Sequence, residues 1–85
     1  MSVKISIINQ EKTKKNIALK GYSIRGFSKR IKVSYSYLSQ ILSGNRYPSP
    51  SIAKKIADGL NEDIEDVFFI KNGNSVTNEE VTNEL

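Results

Sequence analysis

The chain has 85 residues, of which 38% are hydrophobic, so it is long enough for one compact domain and too short for two that each bury a core. It contains no cysteine and no histidine, which excludes disulfides, thiolate zinc sites and a cysteine nucleophile, and we expect neither a metal nor another cofactor. The formal net charge of +4 at pH 7 is modest and by itself identifies no partner.

The charges are segregated along the chain. All 9 acidic residues lie outside the segment between Lys12 and Ala57, and most of the basic residues lie inside it. Such a positive field attracts a polyanion and favours nucleic acid over a small acidic substrate. The alternative is a solvated basic surface without a partner. The basic residues of the segment are Lys12, Lys14, Lys15, Lys20, Arg25, Lys29, Arg30, Lys32, Arg46, Lys54 and Lys55.

The N-terminal residues 1–10 have a short apolar alternation but no long apolar run and no cleavage site. They predict neither secretion nor membrane insertion, so we interpret them as an N-terminal arm of a cytoplasmic protein. From residue 11 the apolar spacing is helical. A first helix over residues 11–20 turns Ile17 and Leu19 inward and ends at Gly21, since glycine readily takes the left-handed conformation that follows a helix.

The second helix is predicted over residues 24–31, with Ser23 as its N-cap. Ile24, Phe27 and Ile31 occur at positions i, i+3 and i+7, so they share one helical face. This face is expected to pack into the core.

A third helix is predicted over residues 35–42. Ser34 is its expected N-cap, and Leu38 and Ile41 are its expected buried residues. Because only residues 32–33 connect it to the second helix, the two helices must cross steeply rather than lie antiparallel. Together they form a helix-turn-helix.

Two further helices complete the predicted domain over residues 11–70. The fourth begins where Pro50 follows Ser49, a pattern typical of a helix start, and the fifth is short, over residues 63–68. Both contribute to the same core through Ile52, Ile56, Ala57, Leu60, Ile64, Val67 and Phe68. The expected fold class is all-α, a compact bundle of five short helices.

A set of residues between about residue 12 and residue 69 matches the pattern of one known family. It comprises Gly21-Tyr22-Ser23, Phe27, Ser28, Ile31, Val33-Ser34, Leu38-Ser39, Ile41, Ser43-Gly44, Asn45-Arg46, Pro48-Ser49-Pro50, Ala57, Leu60, Ile64 and Phe68. Through these residues the chain resembles the lambda-repressor-like, Cro-type (XRE) helix-turn-helix family. Each match is weak alone, but their ungapped combination is a strong signal. The resemblance implies a lambda-repressor-like fold and binding to double-stranded DNA.

The predicted base contacts lie on the N-terminal half of the third helix, which in this family enters the major groove. Because Leu38 and Ile41 fix the inward side, the outward side holds Tyr35, Ser36, Ser39 and Gln40. Gln40 can bond adenine through both amide atoms, serines can reach either base type, and a tyrosine can contact a thymine methyl. For Tyr35 the alternative is partial burial at the edge of the core.

The surrounding residues are predicted to contact the DNA backbone. Where the family often has a phosphate-binding glutamine this chain has Ile24, so Arg25 is expected to make that contact instead. The family's turn glycine is replaced by Lys32, which costs on the order of 1 kcal/mol in a left-handed conformation but adds a charge near DNA. For Tyr37 the alternative is partial burial at the edge of the core. The full predicted set is Ser23, Arg25, Lys29, Lys32, Ser34, Tyr37, Asn45 and Arg46.

Apolar residues that the bundle does not use predict a homodimer. The expected interface consists of Phe69 and Ile70 together with Val67, which is also a predicted core residue, and Val3, Ile5 and Ile7 are further candidates. Two-fold symmetry would place two recognition helices about one DNA turn apart on a palindromic operator. The expected function is a transcriptional regulator, a repressor of the kind found in phages and mobile elements.

The sequence leaves three other functions open: a protein that binds both DNA and a partner, an interaction module, and an enzyme. Residues 71–85 are polar and predict a flexible acidic tail, in which residues 77–80 could begin a short partner-binding helix. An antitoxin or restriction-controller type protein, which binds both DNA and a protein partner, is the second hypothesis. A helical interaction module without DNA binding is the third. An enzyme is the least expected, since no phosphate loop or paired catalytic residues occur.

Overall fold

The computed structural model describes residues 3–72 of the chain. The elements follow in the order β1 (Val3–Ile7), α1 (Gln10–Leu19), α2 (Ile24–Ile31), α3 (Tyr35–Leu42), α4 (Pro50–Gly59), α5 (Ile64–Val67) and β2 (Phe68–Asn72). The five predicted helices are present, and α2 and α3 have the predicted bounds. The part of the predicted acidic tail from residue 73 onward, including its capping box, lies outside the described residues.

Polar side chains begin four of the helices. The side-chain oxygens of Asn9, Ser23, Ser34 and Ser49 each accept a hydrogen bond from a backbone N–H in the first turn, at 3.0–3.3 Å. Each bond satisfies a donor that the helix itself leaves unpaired. None of the helices within residues 3–72 has the length and apolar character that crossing a bilayer requires.

A two-stranded antiparallel sheet is present beside the five helices of the described chain, so the expected all-α class is approximately right. β1 pairs with β2 in a register that places Ile5 opposite Ile70 and Ser6 opposite Phe69. The alternating residues 3–7, expected to form an arm, are a strand, and Lys71, expected in the tail, belongs to β2. The sheet joins the two ends of the described chain and packs against the helical core.

The core gathers apolar residues from all five helices and both strands. Ile5 and Val67, which the sequence suggested for a dimer surface, are only 1% and 2% exposed. Ile5 is therefore a core residue instead, and Val67 has the core position that was also predicted for it. Leu19 was expected to point inward but is 73% exposed. The inward face of α1 carries Thr13 and Ile17, four residues apart, and a residue two positions after Ile17 points to the opposite side of a helix.

In the turn between α2 and α3, the residue that replaces the family's glycine is left-handed. Lys32 has φ 62° and ψ 45°, a conformation that favours glycine. Val33 then turns into the core, where it is 7% exposed, and its N–H donates to the Ser28 carbonyl at 3.0 Å. Ser28 itself is buried, and its hydroxyl donates to the Arg25 carbonyl at 2.6 Å. A larger residue than serine would separate α2 from its neighbours.

Close packing of α4 on α2 fixes the position of the helix-turn-helix. A Cβ added at Gly59 would lie 2.7 Å from Ile31 Cγ2 and 2.9 Å from the ring of Phe27. Both neighbours are buried in the core and have no free space to move into. The absence of a side chain at Gly59 therefore allows the two helices to approach each other.

Candidate nucleic-acid interface

The outward side of α3 holds the four residues predicted to contact bases. Leu38, Ile41 and Leu42 are buried on the inward side, which leaves Tyr35 and Ser36 exposed and Ser39 and Gln40 half-buried. We call the set Tyr35, Ser36, Ser39 and Gln40 the base-contact face. The inward and outward sides follow from the helical repeat, as the sequence predicted.

A short polar network holds the amide of Gln40. Its Nε2 donates to the Ser36 hydroxyl at 3.5 Å, and the Arg46 guanidinium donates to its Oε1 at 3.2 Å. The first contact is long for a hydrogen bond and the second is within the usual range. Arg46, predicted to lie along the backbone, thus also touches the base-contact face and orients the amide that would face a base.

Two arginines lie over the aromatic rings of α3. The Arg25 guanidinium is 4.1 Å from the centroid of the Tyr35 ring, and the Arg46 guanidinium is 5.0 Å from that of Tyr37. Each such pair is worth roughly 0.5–1 kcal/mol at an exposed site. Tyr35 is 40% exposed. Tyr37 is half-buried and packs against the core, which agrees with the core-edge alternative for this residue. The pairs place a cation at each side of the base-contact face.

The N-termini of α2 and α3 present backbone amides and serine hydroxyls. Ser23 Oγ accepts from the Gly26 N–H at 3.0 Å, and Ser34 Oγ accepts from the Tyr37 N–H at 3.2 Å. Each hydroxyl keeps its own proton, which can be donated to an anion. Helix N-termini also favour negative charge through the aligned peptide dipoles. Both ends are suited to hold a phosphate.

The remaining predicted backbone contacts are exposed cations and amides. Lys29, Lys32 and Asn45 are exposed, and Arg46 completes the predicted set in the loop after α3. Within residues 3–72 the ion pair present joins Lys54 to Asp58 at 3.0 Å on α4. The positive charges around the base-contact face are therefore not neutralised by carboxylates of the described chain, so they can attract a polyanion.

A shallow, open depression lies beside the base-contact face. It is lined by Ser34, Ser36, Tyr37, Gln40 and Arg46. Hydroxyls, an amide and a guanidinium converge there from α3 and the following loop. Such a polar and positively charged surface is typical of protein–DNA interfaces.

Of the three predicted interface residues, two are on the surface. Phe69 is 62% exposed and Ile70 is 47% exposed, whereas Val67 is in the core. They border a depression on the sheet that is lined by Lys4, Ser6, Phe69, Ile70 and Lys71. Val3 is 47% exposed and Ile7 half-buried at the same sheet.

Sequence reasoning did not include Lys4 and Tyr47 among the candidate residues. Lys4 Nζ lies 5.0 Å from the centroid of the Tyr47 ring, which joins β1 to the loop after α3. Because this contact depends on the strand pairing between distant parts of the chain, no local pattern indicates it. The one available signal is that Tyr47 directly follows Arg46.

Two comparisons with known proteins found a match. The model of the helix-turn-helix family matches residues 14–67. Over 43 residues the chain is 49% identical to the uncharacterized HTH-type transcriptional regulator YazB of Bacillus subtilis (strain 168), an alignment that covers 51% of this chain and 62% of that protein. The chain thus matches less than two thirds of the length of this relative. No solved structure matches the chain.

Proposed function

The chain belongs to the XRE-type helix-turn-helix family of DNA-binding transcriptional regulators, and from this premise we propose that it represses transcription by binding a palindromic operator as a homodimer. The observation that carries the proposal is the base-contact face of α3. It is polar, accessible and flanked by arginines that no carboxylate of the described chain pairs. In this arrangement α3 enters the major groove and reads base edges.

Gln40 is the central base-contacting residue in this proposal. Its amide can donate to adenine N7 and accept from adenine N6, and the bond from Arg46 to Oε1 reduces the rotational freedom that base binding would cost. Ser36 and Ser39 can donate to or accept from either base type. Tyr35 supplies ring surface for a thymine methyl, held in place by Arg25.

The backbone contacts position α3 in the groove. The N-terminus of α2, with Ser23, Arg25 and Lys29, binds one phosphate group, and Lys32 lies in the turn that follows. Ser34 and Tyr37 contact the backbone at the start of α3, and the Asn45-Arg46 loop contacts it beyond the helix. These contacts carry no sequence information themselves and supply much of the affinity.

The homodimer is proposed to form through Phe69 and Ile70. Their exposure leaves apolar surface at the sheet, which a second copy would remove from water. An isologous dimer places two α3 helices on half-sites about 34 Å apart, one turn of DNA. Repression follows if the bound dimer blocks a promoter, as regulators of phages and mobile elements do.

Selection of bound sites from random duplexes tests the proposal. We expect enrichment of an inverted repeat with half-sites spaced by about one helical turn, and an affinity that falls steeply with salt. Enrichment of a single, asymmetric half-site would contradict the dimer, and absence of salt-dependent binding to any duplex would contradict DNA binding. Gln40→Ala should alter the selected base at one position of each half-site, whereas Ser51→Ala, an exposed serine on α4, should leave the selected sequence unchanged.

A further inference from the structure

Lys4 lies on a strand that the family resemblance did not cover, yet it reaches the candidate DNA surface. Its Nζ is 5.0 Å from the centroid of the Tyr47 ring. Tyr47 is 56% exposed and directly follows Arg46, and Lys4 is itself exposed. The positive surface around α3 therefore continues through Arg46 and Tyr47 onto β1.

A second lysine lies beside Lys4. In the antiparallel pairing Lys4 is directly opposite Lys71, and partners in such a pair point to the same side of a sheet. Like charges opposite one another destabilise a sheet, and within residues 3–72 neither lysine has a carboxylate at ion-pair distance. The arrangement costs stability in the free protein, and an anion bound between the two ammonium groups would offset this cost.

We propose that Lys4, Lys71 and Tyr47 form a further phosphate-binding site, which extends the DNA backbone contact of the Asn45-Arg46 loop onto the sheet. The inference rests on the proposed DNA binding and adds residues from both ends of the fold to it. The ammonium groups provide charge, and the phenol hydroxyl of Tyr47 can donate a hydrogen bond to a phosphate oxygen. The ring of Tyr47 holds Lys4 next to the loop through the cation–π contact.

The exposure of both lysines favours a polyanion over a small enclosed ligand. They border a depression on the two-stranded sheet with Ser6, Phe69 and Ile70. A single small anion held by two exposed ammonium groups would remain solvated and bind weakly. A DNA strand already held at Arg46 presents its next phosphates at a high local concentration.

Salt titration of operator binding by Lys4→Gln tests the site. Each phosphate contact adds about 0.9 to the slope of log affinity against log salt. Because the proposed homodimer carries Lys4 twice, we therefore expect the affinity ratio of wild type to Lys4→Gln to rise about 12-fold when salt is lowered fourfold, with the same selected bases. Lys4→Arg should retain the wild-type slope. Lys55→Gln, which removes one charge from an exposed position on α4, should change the slope less than Lys4→Gln does.

The possible results separate the site from the proposed function. If Lys4→Gln and Lys55→Gln give the same slope while Arg46→Ala weakens binding, the site on the sheet is wrong and the proposed function stands. If the wild-type chain shows no salt-dependent binding to any duplex, both are wrong. If Lys4→Gln abolishes binding of poly-glutamate but leaves operator binding unchanged, the surface holds an acidic protein segment instead of DNA. Thermal unfolding of Lys4→Gln, expected at or above the wild-type temperature, shows that the variant folds.

Discussion

Lys32 combines a conformational cost with a charge that is proposed to contact DNA. Its left-handed backbone, with φ 62°, strains any residue that has a Cβ, and its ammonium group lies in the turn between the two helices proposed to contact DNA. The sequence placed Lys32 at the turn position where the family usually has a glycine, because a residue after a helix and before a capped one can be placed by local pattern. A glycine in the same turn would relieve the strain and remove the charge.

Lys32→Gly is expected to raise the free energy of unfolding by about 1 kcal/mol and to weaken operator binding. Urea unfolding measures the first effect and salt titration the second, where the slope should fall by about 1.8 because the proposed dimer carries Lys32 twice. Lys32→Ala is the matched control, since it removes the charge but keeps the strain. Equal stability of the glycine and alanine variants would show that the backbone conformation is not strained.

Gln40 and Arg46 are expected to act as a unit in DNA binding, because the guanidinium donates to the Gln40 Oε1. A double-mutant cycle with Gln40→Ala and Arg46→Ala, measured on operator affinity, should give a coupling energy of about 0.5–3 kcal/mol. Gln40→Ala alone should relax the preference at one base position by roughly 1–3 kcal/mol.

The control for this cycle pairs Gln40→Ala with Arg25→Ala. Arg25 contacts Tyr35 rather than Gln40, so the two effects should be nearly additive. Additive effects in the Gln40–Arg46 cycle as well would mean that the contact between them is lost when DNA binds.

At the scale of elements, the sequence predicted the helices whose bounds depend on residues close by in the chain. The bounds of α2 and α3 follow from their serine N-caps and from apolar residues at helical spacing, all within a few residues of one another. The sheet was not predicted because its register pairs Val3 with Asn72, the first and the last residues that the structure describes. The alternation of residues 3–7 was visible, but a single short strand has no partner in its own neighbourhood.

Ile5→Ala tests whether β1 is an integral part of the fold. Because Ile5 is 1% exposed, its truncation should lower the free energy of unfolding by about 2–4 kcal/mol, while Ile5→Val should cost about 1 kcal/mol. Val3→Ala, at a 47% exposed position of the same strand, should cost much less. If urea unfolding gives equal, small effects for Ile5→Ala and Val3→Ala, residues 3–7 behave as the arm that the sequence suggested.

At the scale of the whole molecule, the sheet brings two proposed functions close together. Phe69 and Ile70 border the same depression as Lys4 and Lys71, and Tyr47 links this region to the loop after α3. A dimer contact at Phe69 would therefore lie near the DNA backbone contacts rather than on the far side of the domain. The sequence predicted the exposed apolar residues but could not place them relative to the DNA surface, because that relation depends on the strand pairing.

Phe69→Ser is expected to shift the protein from dimer to monomer, because removal of a 62% exposed aromatic side chain takes away the largest apolar contact proposed for the interface. Sedimentation equilibrium should show a dissociation constant at least about tenfold higher. Binding to the full operator should weaken more than binding to an isolated half-site, since only the former uses both subunits. Leu19→Ser, which removes a 73% exposed apolar residue on α1, should leave both quantities unchanged. A Phe69→Ser protein that remains dimeric would place the interface elsewhere and leave the base-contact face of α3 unaffected.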